Sequence, residues 1–225
     1  RGEAPVRHRA CAEEAGQDMN EHPEEARQEM FMEKDLQQQF DRLRPWVTRF
    51  RIGGQDYGGQ YEAARDGRLT WFRDHFPQAA TILELGSLEG GHSFAMAEWP
   101  HVRQVVAVEG RKANLRRARF VQSLLRQEKV QFVRANLESL DLAGLGRFDA
   151  ALCMGLLYHL KQPWRLLQRL SQVTRGLLLW THYCADGQAT ATRQNYRGRL
   201  YREWLFPFLT LFPGYKRMAT APTTR

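Results

Sequence analysis

The sequence is poor in cysteine, with three thiols among 225 residues, at Cys11, Cys153 and Cys184. They are far apart and odd in number, which fits free thiols in a reducing, cytoplasmic compartment better than a disulfide framework. No apolar run approaches the roughly 20 residues needed to cross a bilayer. The longest stretch, Trp204 to Phe212, is interrupted by Pro207, so a membrane span is not expected. The basic start, RGEAPVRHRA, lacks an apolar segment behind it, so no secretory signal is visible, and there is no initiator Met, as expected of a fragment or trimmed chain. A long Lys or Arg block is also lacking. The net charge of +8 permits attraction to nucleic acid or acidic ligands, but the arginines are scattered along the whole chain.

What is present is the composition of a globular domain, 43% hydrophobic and 26% charged. The length suits one domain with an appended arm. Residues 1–42 are rich in Glu, Gln, Arg and Ala and read as a polar, partly helical arm. Residues 43–78 read as a helical lead-in, with IGGQDYGG as a flexible turn and a helix from Tyr61 to Phe76 that stops before Pro77. From Ala79 to Tyr183 the pattern alternates. ATILEL, QVVAVE, KVQFVRA, FDAALCM and GLLLWTHY read as strands, and GHSFAMAEW, RKANLRRARFVQSLLRQ and PWRLLQRLSQV as the helices between them. Strands alternating with helices imply an α/β fold, doubly wound, with a mostly parallel Rossmann-like sheet and helices on both faces. Residues 184–225 offer only WLFPFLTLF as an apolar segment, so a C-terminal strand pair is expected to be incomplete. Arg193, Arg197, Arg199 and Arg202, interleaved with Tyr196, Tyr201 and Trp204, read as an amphipathic helix over the cleft, or as a basic and aromatic patch for nucleic acid.

Ligands of such sheets sit beyond the carboxyl ends of the strands, where strand order reverses, and the loop after the first strand is GSLEGGHS, Gly86 to Ser93. It misses the phosphate-binding pattern G-x-x-x-x-G-K-[ST] because His92 stands in the lysine position, and a neutral imidazole cannot replace an ammonium facing phosphates. It misses G-x-G-x-x-G because Leu88 occupies the second glycine position. Two carboxylates, Glu84 and Glu89, would repel a pyrophosphate. The better ligand is a positively charged nucleoside without phosphates, and S-adenosylmethionine (SAM) is one. About 20 residues further on, Glu109 ends the second strand, where a carboxylate can accept two bonds from ribose hydroxyls.

LELGSLEGG resembles the first motif of class I SAM-dependent methyltransferases, an acidic residue two positions before a glycine and a second glycine four later. The resemblance implies that Glu84, Gly86, Ser87 and Gly90 hold the methionine part of SAM and Glu109 the ribose. It places Asn136, with Leu137, against adenine, and Met154 and Gly155 at the cofactor from the end of the fourth strand. It covers Ala79 to Tyr183. The run GLLYHL is also similar to enzymes that methylate or carboxymethylate the wobble uridine of transfer RNA. The function implied is methyl transfer from SAM by in-line displacement, to a small-molecule or RNA acceptor. A non-catalytic SAM- or RNA-binding module of the same fold is the alternative.

A hydroxyl or acidic acceptor needs a base, and His159 is the candidate, since imidazole titrates near neutrality and the residue follows the fourth strand at the cleft mouth. Tyr158 is placed to orient the acceptor, and His182 and Tyr183 form a second set. No ligand pair has zinc-type spacing, so no metal is expected. Cys153, inside a strand, reads as a buried apolar residue rather than a nucleophile.

Overall fold

The computed structural model describes residues 34–182, 190–196 and 199–205. The chain divides into two units, Arg1–Arg44 and Pro45–Arg225. The described part of the first is a helix, α1, over residues 34–42. The expected helical stretch before Lys34 lies outside the described residues.

The second unit is built on five strands, β3 (Thr81–Leu85), β4 (Gln104–Glu109), β5 (Val130–Arg134), β6 (Ala150–Met154) and β7 (Leu177–Trp180). All pair in parallel, in the order β5-β4-β3-β6-β7. The chain runs outward from β3 through β4 to β5, then returns to β6 on the other side of β3. The order therefore reverses at β3, whose carboxyl end opens the crevice. This is the doubly wound Rossmann-like sheet expected from the alternation of strand and helix patterns.

Register decides which face each side chain serves. Leu83 pairs with Val106 and Ala151, and Leu85 with Val108 and Cys153. These residues form one core with Leu166, Leu170 and Val173 of α5 (Pro163–Val173). The alternate residues Ile82, Val105 and Ala107 face the helices α3 (Gly91–Ala97) and α4 (Lys112–Leu125), where Phe94 meets Phe132 edge-on with centroids 5.7 Å apart. Both faces are buried, which explains near-continuous apolar strands. Truncating a fully buried side chain such as Leu83 to alanine is expected to cost about 2–5 kcal/mol. Helix α4 buries Leu115, Ala118 and Val121 along one stripe and ends where Arg126 turns left-handed at φ +50°. In α5 the proline sits in the first turn, where its missing N–H leaves no bond unmade. At the opposite end of the sheet from the crevice, Asp149 accepts the amides of Ala80 and Thr81 at 3.0 and 2.9 Å, tying β6 to β3.

Two segments depart from the sequence reading. The lead-in is not purely helical: β1 (Arg49–Ile52) and β2 (Gln55–Gly58) form an antiparallel hairpin. Gly53 and Gly54 turn it with φ of +58° and +84°, the two positive angles of a tight two-residue hairpin turn. What read as a long helix from Tyr61 is a 3-10 turn at Ala63–Arg65 followed by α2 (Gly67–His75), started by Asp66, whose side chain accepts the Arg68 amide. In the C-terminal segment, β8 (Thr190–Tyr196) and β9 (Arg199–Leu205) pair antiparallel, with Arg193 opposite Arg202 and Tyr196 opposite Arg199. Where an amphipathic helix was expected there is an antiparallel strand pair, in a separate two-stranded sheet rather than at an edge of the main one. Its alternating polar and aromatic residues suit a strand period of two as well as a loose helical one. Among the described residues no helix is long and apolar enough to cross a membrane.

Candidate active site

The loop from β3 to α3 folds back over β4, with the amides of Gly86 and Ser87 donating to the Val108 carbonyl at 2.8 and 3.1 Å. Gly86 has φ +77°, a conformation that suits glycine. Leu88 is left-handed at φ +53°, and this turns its amide onto Glu109 Oε2 at 2.9 Å. The Arg111 amide meets the other oxygen, Oε1, at 2.7 Å. Glu109 is thereby fixed at the tip of β4, with lone pairs left on each oxygen for further donors. Burial pushes its carboxyl above the ordinary range, against the two amide bonds.

Beyond this turn lies a cavity of about 710 Å³, within the roughly 300–1,000 Å³ range of small-molecule sites. Gly86, Ser87, Glu109, Asn136, Leu137, Met154, Gly155 and His159 all stand on its wall. Asn136 also starts a turn, accepting the Glu138 amide at 3.0 Å. Ser87 is 4% exposed, and its hydroxyl has no hydrogen-bond partner among the described residues. Such a buried orphan costs free energy unless a ligand satisfies it.

Three expected site residues do not line this cavity. Glu84 pairs with Ala107 and Leu152, on the sheet face covered by α3, so its carboxylate lies beneath that helix. There it accepts the Ser93 hydroxyl and faces His92 Nδ1 at 3.7 Å. Gly90 is needed by the protein's own packing: a Cβ there would come within 2.7 Å of Phe132 and 3.0 Å of Phe94, at a backbone φ of +82°. The Tyr158 ring stacks on His182, with centroids 4.6 Å and planes 9° apart, and meets His159 edge-on at 4.5 Å. Its hydroxyl reaches the space beside Gly155. The Leu157–His159 turn that carries these residues is a 3-10 turn, separate from α5. Glu89 also faces away from the cavity, onto backbone amides of the lead-in.

A cluster that sequence reasoning missed forms the opposite wall. Tyr61 and Asp66, from the lead-in, meet His92, from the first turn of α3. His92 Nε2 lies 3.0 Å from Asp66 Oδ2 and 2.8 Å from the Tyr61 hydroxyl, which itself donates to Asp66. Arg68 grips the same carboxylate through Nε at 2.9 Å and Nη2 at 2.6 Å, and lies over the Trp180 ring at 4.6 Å. Burial alone would discharge His92, but the Asp66 and Glu84 carboxylates outweigh it and raise its pKa to about 9. Burial would likewise raise Asp66, yet bonds from His92, Arg68 and Tyr61 hold it well below the usual carboxylate range. Burial and the Asp66 bond push Tyr61 up to about 12. The expectation of a neutral His92 is therefore overturned: it is a cation at neutral pH. It still cannot serve a phosphate, because two carboxylates already hold it. The only sequence signal was local, an Asp in a helix-capping position; nothing in it linked residue 66 to residue 92.

Beyond Arg68, Trp180 is 40% exposed and packs edge-on against His182 at 5.2 Å. His182 follows the end of β7, and Tyr183 lies outside the described residues. Cys153 is fully buried, which pushes its thiol up to about 12 and makes it inert. Among the described residues no group of His, Cys, Asp and Glu is placed to hold a metal ion.

The orphaned Ser87 hydroxyl and the fixed Glu109 carboxylate suit an adenosyl ligand without phosphates. Residues 83–177 match the family described as a methyltransferase domain. The crystallised N-terminal domain of EvdMO1, in the presence of S-adenosylhomocysteine (SAH) and D-fucose, is 36% identical, with a TM-score of 0.69 over 80% of this chain and 83% of that one. Full-length EvdMO1 is 34% identical with a TM-score of 0.61, and the chain spans 46% of its length. Coclaurine N-methyltransferase, solved with N-methylheliamine and SAH, shares the fold at 18% identity and a TM-score of 0.53, over 66% of this chain and 46% of that one. No curated protein matches the chain. The chain belongs to the class I SAM-dependent methyltransferases.

Proposed function

We propose that the enzyme methylates a hydroxyl group of a sugar, with the cleft beside His159 as the acceptor site. The observation that carries this reading is the likeness over four fifths of both chains to the EvdMO1 N-terminal domain, solved in the presence of SAH and D-fucose. Exposed Trp180, which packs against Arg68 of the cavity wall, and exposed His182 support it by offering aromatic surface to the apolar C–H face of a pyranose.

When bound, SAM supplies an electrophilic methyl group on a sulfonium. The chain's own residues bind and align. Glu109 takes the ribose hydroxyls, Asn136 and Leu137 border the adenine, and Ser87 with the Gly86 backbone meets the methionine part. Met154 and Gly155 close the cavity from β6. Glu84 acts from beneath, through His92. His159 accepts the hydroxyl proton as the acceptor oxygen is alkylated; it is exposed and stands on the cavity wall. Tyr158 orients the imidazole by its edge-on contact. Alignment and exclusion of water supply much of the acceleration.

The test is incubation with methyl-labelled SAM and D-fucose, other 6-deoxyhexoses, their glycosides, and bulk transfer RNA. Label in an O-methyl sugar supports the reading; label in transfer RNA alone sinks it. The narrower likeness of GLLYHL to wobble-uridine enzymes has no second observation behind it. A buried free thiol at Cys153 suits the reducing cytoplasm we propose as the location.

A further inference from the structure

We infer that Glu89 is a positioning residue that clasps the lead-in segment onto the cofactor loop and so builds one wall of the SAM cavity. Glu89 sits within the glycine loop, yet it is 1% exposed and turned away from the cavity. Its carboxylate accepts the Val47 amide at 3.0 and 3.2 Å and the Thr48 amide at 2.8 Å. A buried carboxylate given this many donors is a strong, directional anchor. Arg117 Nη1, at 3.9 Å, adds a positive charge.

The anchored backbone continues to the cavity. The carbonyl of Val47 accepts the Tyr61 amide at 3.0 Å, and the carbonyl of Tyr61 accepts the Arg49 amide at 2.8 Å. From Tyr61 the connection returns to α3 through Asp66 and His92. Val47, Thr48, Tyr61 and Arg68 all line the cavity. Glu89 and His92 therefore hold the two ends of one closed circuit, and the lead-in between them is a wall of the site. The fit at its centre is close. A Cβ on Gly91 would lie 2.6 Å from Thr48 Cγ2 and 2.7 Å from the Ala63 Cβ, so alanine there would push the lead-in off the loop while leaving Glu89 intact.

The inference rests on the cofactor site and not on the sugar reading, and it is tested without any acceptor. SAH affinity is measured by calorimetry well below the melting temperature for the wild type, Glu89→Gln and Gly91→Ala, with amide hydrogen exchange followed in residues 46–61. Both variants are expected to bind SAH at least about tenfold more weakly and to exchange faster in that segment. Adding Thr48→Ser and Ala63→Gly to Gly91→Ala should restore most of the affinity by making room for the methyl group. A purely structural Glu89 would lower the melting temperature and leave the affinity of the folded protein unchanged, and that result overturns the inference. So does unaltered exchange in 46–61. Should Glu89→Gln fail to fold, Gly91→Ala decides: wild-type SAH affinity in that variant also overturns it.

Discussion

His92→Gln removes a cation that Asp66 and Glu84 share while leaving an amide able to donate to Asp66. In the folded protein His92 titrates at about 9, against about 6.5 in an unfolded chain. At 1.36 kcal/mol per pH unit that difference corresponds to roughly 3 kcal/mol of stability. The side chain is 16% exposed, so solvent screens little of it. The sign follows from linkage: the folded state binds the proton more tightly, so the contribution is complete below about pH 6.5, declines from there to about pH 9, and is gone above it. Asp66 runs the other way. Its carboxyl is depressed, so its contribution is present above the ordinary carboxylate range and is lost only as pH falls through its strongly acid folded value. Between about pH 6 and pH 9.5, then, His92 is the member of the cluster that moves. Urea unfolding of wild type and His92→Gln at those two pH values isolates it, because groups common to both proteins cancel in the difference. The wild-type advantage should shrink by roughly 3 kcal/mol as pH rises. An advantage that stays constant, or an imidazole that titrates by NMR at or below about 6.5, refutes the charge clamp.

Glu109→Ala should weaken SAH binding by about 1–3 kcal/mol, or roughly 5- to 150-fold, because bound ribose hydroxyls lose a charged acceptor; calorimetric titration measures it. His159→Gln should lower kcat about 10²- to 10⁴-fold with SAH affinity unchanged, and a normal kcat on the acceptor identified would remove the base from His159. Gly90→Ala should destabilise the fold by about 1–3 kcal/mol, read as a fall in Tm, since its methyl would collide with Phe132 and Phe94.

The parallel core was legible because its strands are short apolar runs separated by helices with a clear 3.6-residue stripe, and both signals are local. Glu109 was legible for the same reason, as an acid at a strand tip a fixed distance beyond a glycine loop. The hairpin of the lead-in was hidden by its glycines: Gly53 and Gly54 were read as slack, whereas two positive angles in succession are what a tight turn requires. Glu84 and Gly90 matched a motif by spacing, but spacing does not say which face of the sheet a carboxylate serves or whose side chain fills the space over a glycine. Pairing of Glu84 with Ala107 settled the first, and the Phe132 ring the second. The link between Asp66 and His92 joins residues 26 apart in sequence, and no periodicity carries it.

The reason the site takes a cationic, phosphate-free nucleoside also changes once the side chains are placed. From sequence, Glu84 and Glu89 read as negative charges flanking the loop and repelling phosphates. In the structure neither faces the cavity: Glu84 is engaged with Ser93 and His92, and Glu89 with the Val47 and Thr48 amides. The charged residues on the wall are Glu109 with Arg111 at one end and, at the other, Arg68 and His92 balanced by Asp66. Rejection of a triphosphate is thus expected from the commitment of Arg68 and His92 to Asp66, together with Leu88 where close backbone approach would need glycine. Freeing His92 by Asp66→Asn should therefore not create a phosphate site, because Glu84 still holds the imidazole at Nδ1 and Arg68 lies over Trp180. Calorimetry of that variant with ATP should show no binding, and measurable affinity would mean that the committed cations, and not the shape of the loop, are what exclude phosphate.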